Sequence, residues 1–295
     1  MYEKVLECPI CSHQGFSNHI ICTDHLVSDE AFAIVKCDNC GLKVTSPRPN
    51  AENIGKYYES EDYASHQQSS RSLMDVAYKT VRGFALNKKL KLVNSLATEP
   101  GKLLDVGCGT GLFLNTCEKG KWKTAGVEVN NNARESASKI VRGHIYESLD
   151  NLELKKTFDV ITAWHVIEHL HDLRGSLKMM RKLLKKDGSV VIAVPNSDSW
   201  DADNYKEFWA AYDVPRHLYH FNQLNIKELA NELKFKVKQV LPMKLDSFYV
   251  SLLSEKYKYG STNYLRAINN GLKSNRWARK NQNNYSSLIY ILSKK

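Results

Sequence analysis

The stretch Lys102-Leu-Leu-Asp-Val-Gly-Cys-Gly-Thr-Gly-Leu-Phe-Leu114 decides the fold. Lys102 to Val106 has strand character and runs into a turn with glycines at 107, 109 and 111; Leu112 to Cys117 then continues as an apolar helix. Glycines between a strand and a helix let a ligand approach the backbone closely. A second strand, Thr124 to Val129, carries Glu128, 23 residues after Asp105. An acid at that distance can accept hydrogen bonds from both hydroxyls of a ribose. The spacing also separates two cofactor classes. A dinucleotide fingerprint, GxGxxG, requires glycine at 112, where Leu112 stands.

The alternation continues outward. Arg134 to Ile140 reads as helix, Val141 to Tyr146 as a third strand and Phe158 to Trp164 as a fourth. A helix from Asp172 to Lys186 is expected to end at Gly188. Ser189 to Val194 is nearly all apolar, as a strand buried on both faces should be. Past Phe221 come a helix (Leu224 to Leu233), a strand (Phe235 to Leu241) and a last strand (Ser286 to Ser293), with a helical insertion at about 242–285. Upstream, apolar residues from Leu73 to Leu96 recur at helical spacing. The expected fold is α/β, a Rossmann-like, doubly wound, seven-stranded and mostly parallel sheet. Ligands of such sheets sit outside the carboxyl ends of the strands, where Asp105, Glu128 and Trp164 would converge.

An acid two residues before glycines at 107, 109 and 111 resembles motif I of class I S-adenosylmethionine-dependent methyltransferases. The resemblance extends to Trp164-His-Val-Ile-Glu-His-Leu-His-Asp172, which matches the segment after strand four, and to Asp213-Val-Pro-Arg-His-Leu-Tyr-His-Phe221, which matches a segment after strand five in one bacterial branch. It implies S-adenosylmethionine as cofactor, with contacts from Asp105, Gly107, Cys108, Gly109, Gly111, Glu128, Trp164 and His165. Trp164 either lies against the adenine or fills the core. Tyr57, Tyr58 and Tyr63 either form a lid over the methionine end or pack the first helix on the sheet.

Seven cysteines, an odd number, argue against a complete disulfide framework. Cys8-Pro-Ile-Cys11 and Cys37-Asp-Asn-Cys40 form two CxxC pairs, with strands Ile20 to Thr23 and Ala31 to Lys36 between them. Four thiolates suit the closed tetrahedral coordination of structural Zn²⁺. Residues 1–45 therefore read as a zinc-ribbon-like segment, 46–99 as connector and long helix, and 100–295 as the methyltransferase domain. The ribbon also matches the start of the same bacterial branch. The core of the cofactor domain is expected to be independent of it. Cys108 and Cys117 read as small core side chains.

The chain has 295 residues, 42% hydrophobic and 25% charged, which excludes a disordered or collagen-like chain. It has neither a spanning apolar run nor an apolar leader, so a cytoplasmic protein is expected. Residues 256–295 hold nine basic side chains and no acid, which accounts for all but one unit of the net charge of +10. That stretch is either a solvated surface or a face for phosphate, anionic lipid or RNA.

Methyl transfer needs alignment of two substrates, and a hydroxyl or amine acceptor also needs a proton removed. The segment after strand five concentrates Asp213, Arg216, His217, Tyr219 and His220. His217 oriented by Asp213 is the first choice as base, with His169, His165 and His66 as alternatives. Arg216 either holds an anionic acceptor or pairs with Asp213. Glu168 and His169 also read as a helix start, where capping competes with catalysis. The favoured function is methyl transfer to a small or medium-sized acceptor, more readily at oxygen. The alternatives are an RNA methyltransferase using the ribbon and basic region, and a non-catalytic zinc-ribbon binding module.

Overall fold

A computed structural model describes residues 1–58, 73–153 and 158–295, with side chains from residue 82 onward in the helix that opens at Leu73. Tyr63 and His66 lie outside the described residues. The N-terminal part contains β1 (Tyr2–Glu3), β2 (Phe16–Thr23), β3 (Ala31–Cys37), β4 (Lys43–Thr45) and β5 (Arg48–Pro49), then a 3₁₀ turn at Ile54–Tyr58 and helix α1 (Leu73–Asn94). The alternating part follows as β6 (Lys102–Val106), α2 (Leu112–Lys119), β7 (Lys123–Val127), α3 (Asn131–Ile140), β8 (Ile145–Tyr146), β9 (Phe158–Trp164), α4 (Leu173–Leu183) and β10 (Leu184–Pro195). The remainder is α5 (Trp200–Tyr205), β11 (Tyr219–His220), α6 (Gln223–Glu232), β12 (Phe235–Pro242), α7 (Asp246–Tyr259), α8 (Tyr264–Lys280) and β13 (Ser287–Lys294).

Seven strands form the main sheet in the order β12-β13-β10-β9-β6-β7-β8. Strands β10, β9, β6, β7 and β8 run parallel, and β13 lies antiparallel between β10 and β12. The expected α/β class and mostly parallel sheet are thus what the chain adopts. Val190, Val191, Ile192, Ala193 and Val194 of β10 are all buried, because helices cover both faces of a parallel sheet.

Gly188 does not end a helix. Helix α4 stops at Leu183, and Gly188 lies inside β10, where the register slips between Leu184 and Ser189. A Cβ there would come within 2.9 Å of the Asp159 carbonyl oxygen on the neighbouring strand. Close backbone approach at an irregularity explains this glycine.

The cysteine-bearing segment is not an independent core. Strands β2, β3 and β4 form a second sheet, and β11, from far down the chain, is its fourth strand, pairing Tyr219 with Val44 and His220 with Lys43. Cys8, Ile10, Cys37, Leu42 and Val44 share one buried cluster with Leu104, Ile161 and Ile192 of the main sheet. The expectation of a cofactor core independent of the ribbon is therefore corrected: hydrophobic burial joins the two.

Helices α7 and α8 fill the stretch between β12 and β13. Buried Glu255 of α7 accepts hydrogen bonds from Tyr205 Oη (3.0 Å) and Asn270 Nδ2 (3.3 Å) and is paired with Arg266, which also lies over the Tyr259 ring at 3.8 Å. Buried Asp201 accepts from Trp209 Nε1, Ser274 Oγ and Ser286 Oγ at 2.6–2.9 Å. These polar pairs tie the insertion to the segment after β10, and they engage Arg266 of the basic stretch internally. Among the described residues no helix is long and apolar enough to cross a membrane.

Candidate active site

The turn after β6 has all three glycines in the left-handed region, with φ of 70°, 55° and 78° at Gly107, Gly109 and Gly111. Each has its own neighbour. A Cβ at Gly107 would meet Val166 Cγ2 at 2.5 Å, and one at Gly111 would meet Val141 Cγ2 at 2.8 Å. A Cβ at Gly109 would meet nothing within 4 Å, so here the backbone faces open space. Glu128 follows β7 and closes this opening from the side. Its Oε2 accepts from Gly109 N at 2.8 Å and its Oε1 from Asn130 N at 2.9 Å. A carboxylate has about four lone-pair positions, so two remain for hydroxyls of a ligand.

Asp105 forms the floor. It is buried, and its Oδ1 accepts from Thr162 Oγ1 at 2.6 Å. Burial pushes its carboxyl up to about 7, although the Thr162 hydrogen bond and the charge of Lys89 work the other way. Lys89 of α1 places its ammonium 4.4 Å from the centre of the Trp164 ring. Burial lowers its pKa, against the pull of Asp105 and Asp246. Trp164 is 9% exposed and packs edge-on against Phe113, so it is mainly a core side chain under α1. Cys108 turns its thiol into the core, where a Cβ on Gly126 would meet Sγ at 2.7 Å; its side chain does not line the opening.

The segment after β9 brings the histidines together. His165, at φ 56°, places Nδ1 3.4 Å from Glu168 Oε1 and Nε2 3.2 Å from Asp246 Oδ2 of α7. Burial opposes its charge, but the neighbouring carboxylates of Asp246 and Glu168 outweigh this and push its pKa up to about 9. His169 Nδ1 lies 3.0 Å from Tyr58 Oη and 3.1 Å from the Arg216 carbonyl. His217 Nδ1 lies 2.9 Å from the Ala211 carbonyl, and the two imidazoles meet edge-on, 4.6 Å apart. Burial and the charge of His217 push His169 down to about 4.

Three expectations change here. Asp213 does not orient His217 through a hydrogen bond: the nearest approach is 3.8 Å to Nε2, and the Ala211 carbonyl holds the ring instead. Arg216 is 1% exposed and donates to Asp24, Asp213 and the Tyr57 carbonyl at 2.8–3.0 Å, so it offers no face to an anionic acceptor. Capping of α4 falls to Asp172, which accepts from Gly175 N at 2.8 Å, and not to Glu168. Tyr57 is buried, with its hydroxyl on Glu30 and Tyr2, whereas Tyr58 reaches the histidines. Lys89, Thr162 and Asp246 carry no local motif, and sequence reasoning missed all three.

The four cysteines of the CxxC pairs also converge. Cys8 and Cys40 Sγ are 3.4 Å apart, Cys11 and Cys37 Sγ 3.6 Å, and all four lie within 4.8 Å of one another. A tetrahedron with metal–sulfur bonds of ~2.3 Å has edges of roughly 3.8 Å. Burial pushes Cys8 up to about 11 and raises Cys40, while hydrogen bonds from Asn39 and the His13 backbone overcome burial and bring Cys11 down to about 6. The donor set fits a thiophilic divalent ion.

A seven-stranded sheet with one reversed strand and an open glycine turn beside an acid defines a nucleoside-binding methyltransferase-type domain. The family described as "Methyltransferase domain" matches residues 80–240, more than half of the chain, and the chain belongs to it. Among curated relatives, a ubiquinone biosynthesis O-methyltransferase from Pelagibacter ubique is 35% identical over 102 residues, 32% of this chain and 42% of that protein. One from Coxiella burnetii is 25% identical over 189 residues, 60% of this chain and 74% of that protein. The chain thus spans about two fifths of the length of the first of these relatives. The crystal structure of a magnesium protoporphyrin IX methyltransferase from Synechocystis PCC 6803 with bound SAH has the same fold, with a TM-score of 0.55 and 10% identity over 83% of this chain and all of that one.

Proposed function

We propose that this protein transfers a methyl group from S-adenosylmethionine to a hydroxyl oxygen of a small or medium-sized acceptor. The observation that carries the reading is Glu128 bonded to Gly109 N beside the open face of Gly109. That pair makes a ribose-sized polar edge on a turn without side chains. The cofactor supplies a methyl group on a positively charged sulfur. In the balanced reaction a carbon–oxygen bond forms as the carbon–sulfur bond breaks, the sulfur keeps the electron pair and the acceptor's proton is released. Gly107, Gly109 and Gly111 give the cofactor room, Glu128 orients its ribose, and Asp105 beneath favours its cationic end. His169 and His217 stand at the same end of the sheet and provide sites for the acceptor's proton. The O-methyltransferase relatives favour oxygen over nitrogen or carbon and a small molecule over RNA. In this reading Cys8, Cys11, Cys37 and Cys40 hold a structural Zn²⁺.

Glu128→Ala should weaken S-adenosylmethionine binding by about 1.5–3 kcal/mol, the scale of hydrogen bonds to a charged group. Calorimetry that finds unchanged affinity, or that finds NADH bound and S-adenosylmethionine not, sinks the cofactor assignment.

A second expectation concerns pH. Asp105 is held at about 7 in the cofactor-free fold, against about 3.9 when unfolded. The folded state therefore binds a proton that the unfolded state releases. This contribution to stability is fully present below about pH 4 and lost as pH rises through about 7. A sulfonium ligand reverses the preference, since it binds better beside an ionised carboxylate. S-adenosylmethionine affinity should rise with pH, by up to about tenfold per unit approaching pH 7, and then level off. S-adenosylhomocysteine, without the sulfonium, should show a shallower rise, and Asp105→Asn should remove the step. Identical pH profiles for the two ligands would refute the role of Asp105.

A further inference from the structure

The geometry points to a divalent transition-metal site formed by Glu168, His169 and His217, separate from the four cysteines. One carboxylate oxygen and one nitrogen from each imidazole lie within 4.8 Å of one another. Glu168 is fully buried, and neither of its oxygens has a hydrogen-bond partner. An isolated carboxylate in that position is costly unless a cation neutralises it. His165 does so only in part. It stands 3.4 Å away and is shared with Asp246, so two carboxylates face one imidazolium.

The tautomers complete the argument. A backbone carbonyl can only accept, so the Ala211 oxygen 2.9 Å from His217 Nδ1 requires a proton on that nitrogen. His217 then keeps the lone pair of Nε2, which lies 3.8 Å from Asp213 Oδ2, free for a cation. His169 Nδ1 is shared between the Arg216 oxygen at 3.1 Å, which accepts a proton from it, and Tyr58 Oη at 3.0 Å, which can donate or accept. Imidazoles fixed through Nδ1–H to backbone carbonyls are the usual outer support of metal-bound histidines. The two chain segments are also locked together, with Leu218 N donating to the Glu168 carbonyl at 2.8 Å. Two imidazoles and one carboxylate suit Zn²⁺, Fe²⁺ or Mn²⁺ better than Mg²⁺ or Ca²⁺, which prefer all-oxygen sets. Bonds of about 2.0–2.2 Å would draw the three groups together on binding.

The site adjoins the glycine turn, because Val166 lies against Gly107. If the O-methylation reading holds, positive charge here would ease loss of the acceptor's proton. The site itself does not depend on that reading.

The test is metal content after incubation of the full-length protein with Co²⁺ and desalting. Wild type should hold one more transition-metal ion per chain than Glu168→Gln, an isosteric change that removes the carboxylate charge. The additional cobalt should show ligand-field absorption without the thiolate charge-transfer bands of a cysteine site. His217→Ala should lose the same equivalent, with thermal melting used to confirm that each variant is folded. Equal metal content in wild type and a folded Glu168→Gln overturns the proposal. Calorimetry of S-adenosylmethionine on the wild type separates the two readings: metal bound without cofactor binding would refute methyl transfer and leave the metal site standing.

Discussion

Cys37→Ser is expected to destabilise the whole protein and not only its first 45 residues. The Cys37 side chain is fully buried in the cluster that includes Leu104, Ile161 and Ile192. The cysteine knuckles are also bonded to the rest of the fold. Arg174 Nη1 donates to the Pro9 carbonyl at 2.9 Å, and Asn225 Nδ2 donates to the Cys40 carbonyl at 3.1 Å. Structural zinc in small domains contributes roughly 10–16 kcal/mol of apparent binding free energy, which is folding free energy where no site exists in the unfolded chain. Against a typical domain stability of about 5–15 kcal/mol, loss of such an ion would be decisive. If the four cysteines hold zinc as proposed, a chelator should release hydrogen-exchange protection in β2 to β4 and also at Leu218 to His220, which is stitched to them through β11. Retained protection at 218–220 in the chelated protein would show that the ribbon is dispensable to the fold after all.

Arg216→Ala should cost about 3–5 kcal/mol of stability, because it strands two carboxylates. Arg216 and Asp24 are each 1% exposed, and their ion pair is 2.8 Å long. Asp213 depends on the same guanidinium. Burial raises its pKa, and the charge of Arg216 more than reverses that. Asp24 meanwhile organises its own loop, accepting from the backbone N–H of Leu26 and Ser28 at 3.1 Å. Arg216→Lys should recover only part of the loss, since an ammonium cannot reproduce the fork that reaches Asp24, Asp213 and the Tyr57 carbonyl together. Urea unfolding measures this directly. If KM for the acceptor rises while the unfolding midpoint stays put, Arg216 is a binding residue and the structural account fails.

What the sequence by itself determined lies within single elements and their joints. Glycines at 107, 109 and 111, an acid at 105 and another at 128 are short-range patterns, and backbone sterics and strand–turn–helix geometry leave few ways to satisfy them. The CxxC pairs are legible for the same reason: each pair needs only one tight turn. Gly188 shows where this reasoning stops. A glycine after a helix reads as a terminator, but a neighbouring carbonyl on β9 required it inside a strand. The tertiary structure alone decided which distant groups meet. Asp24 faces Arg216 across 192 residues, the Arg216 carbonyl holds His169 across 47, and β11 joins a sheet whose other strands lie at the opposite end of the chain. No periodicity encodes such pairings. They arise when apolar faces are buried together, and the charges and imidazoles carried with them then find the partners that burial makes necessary.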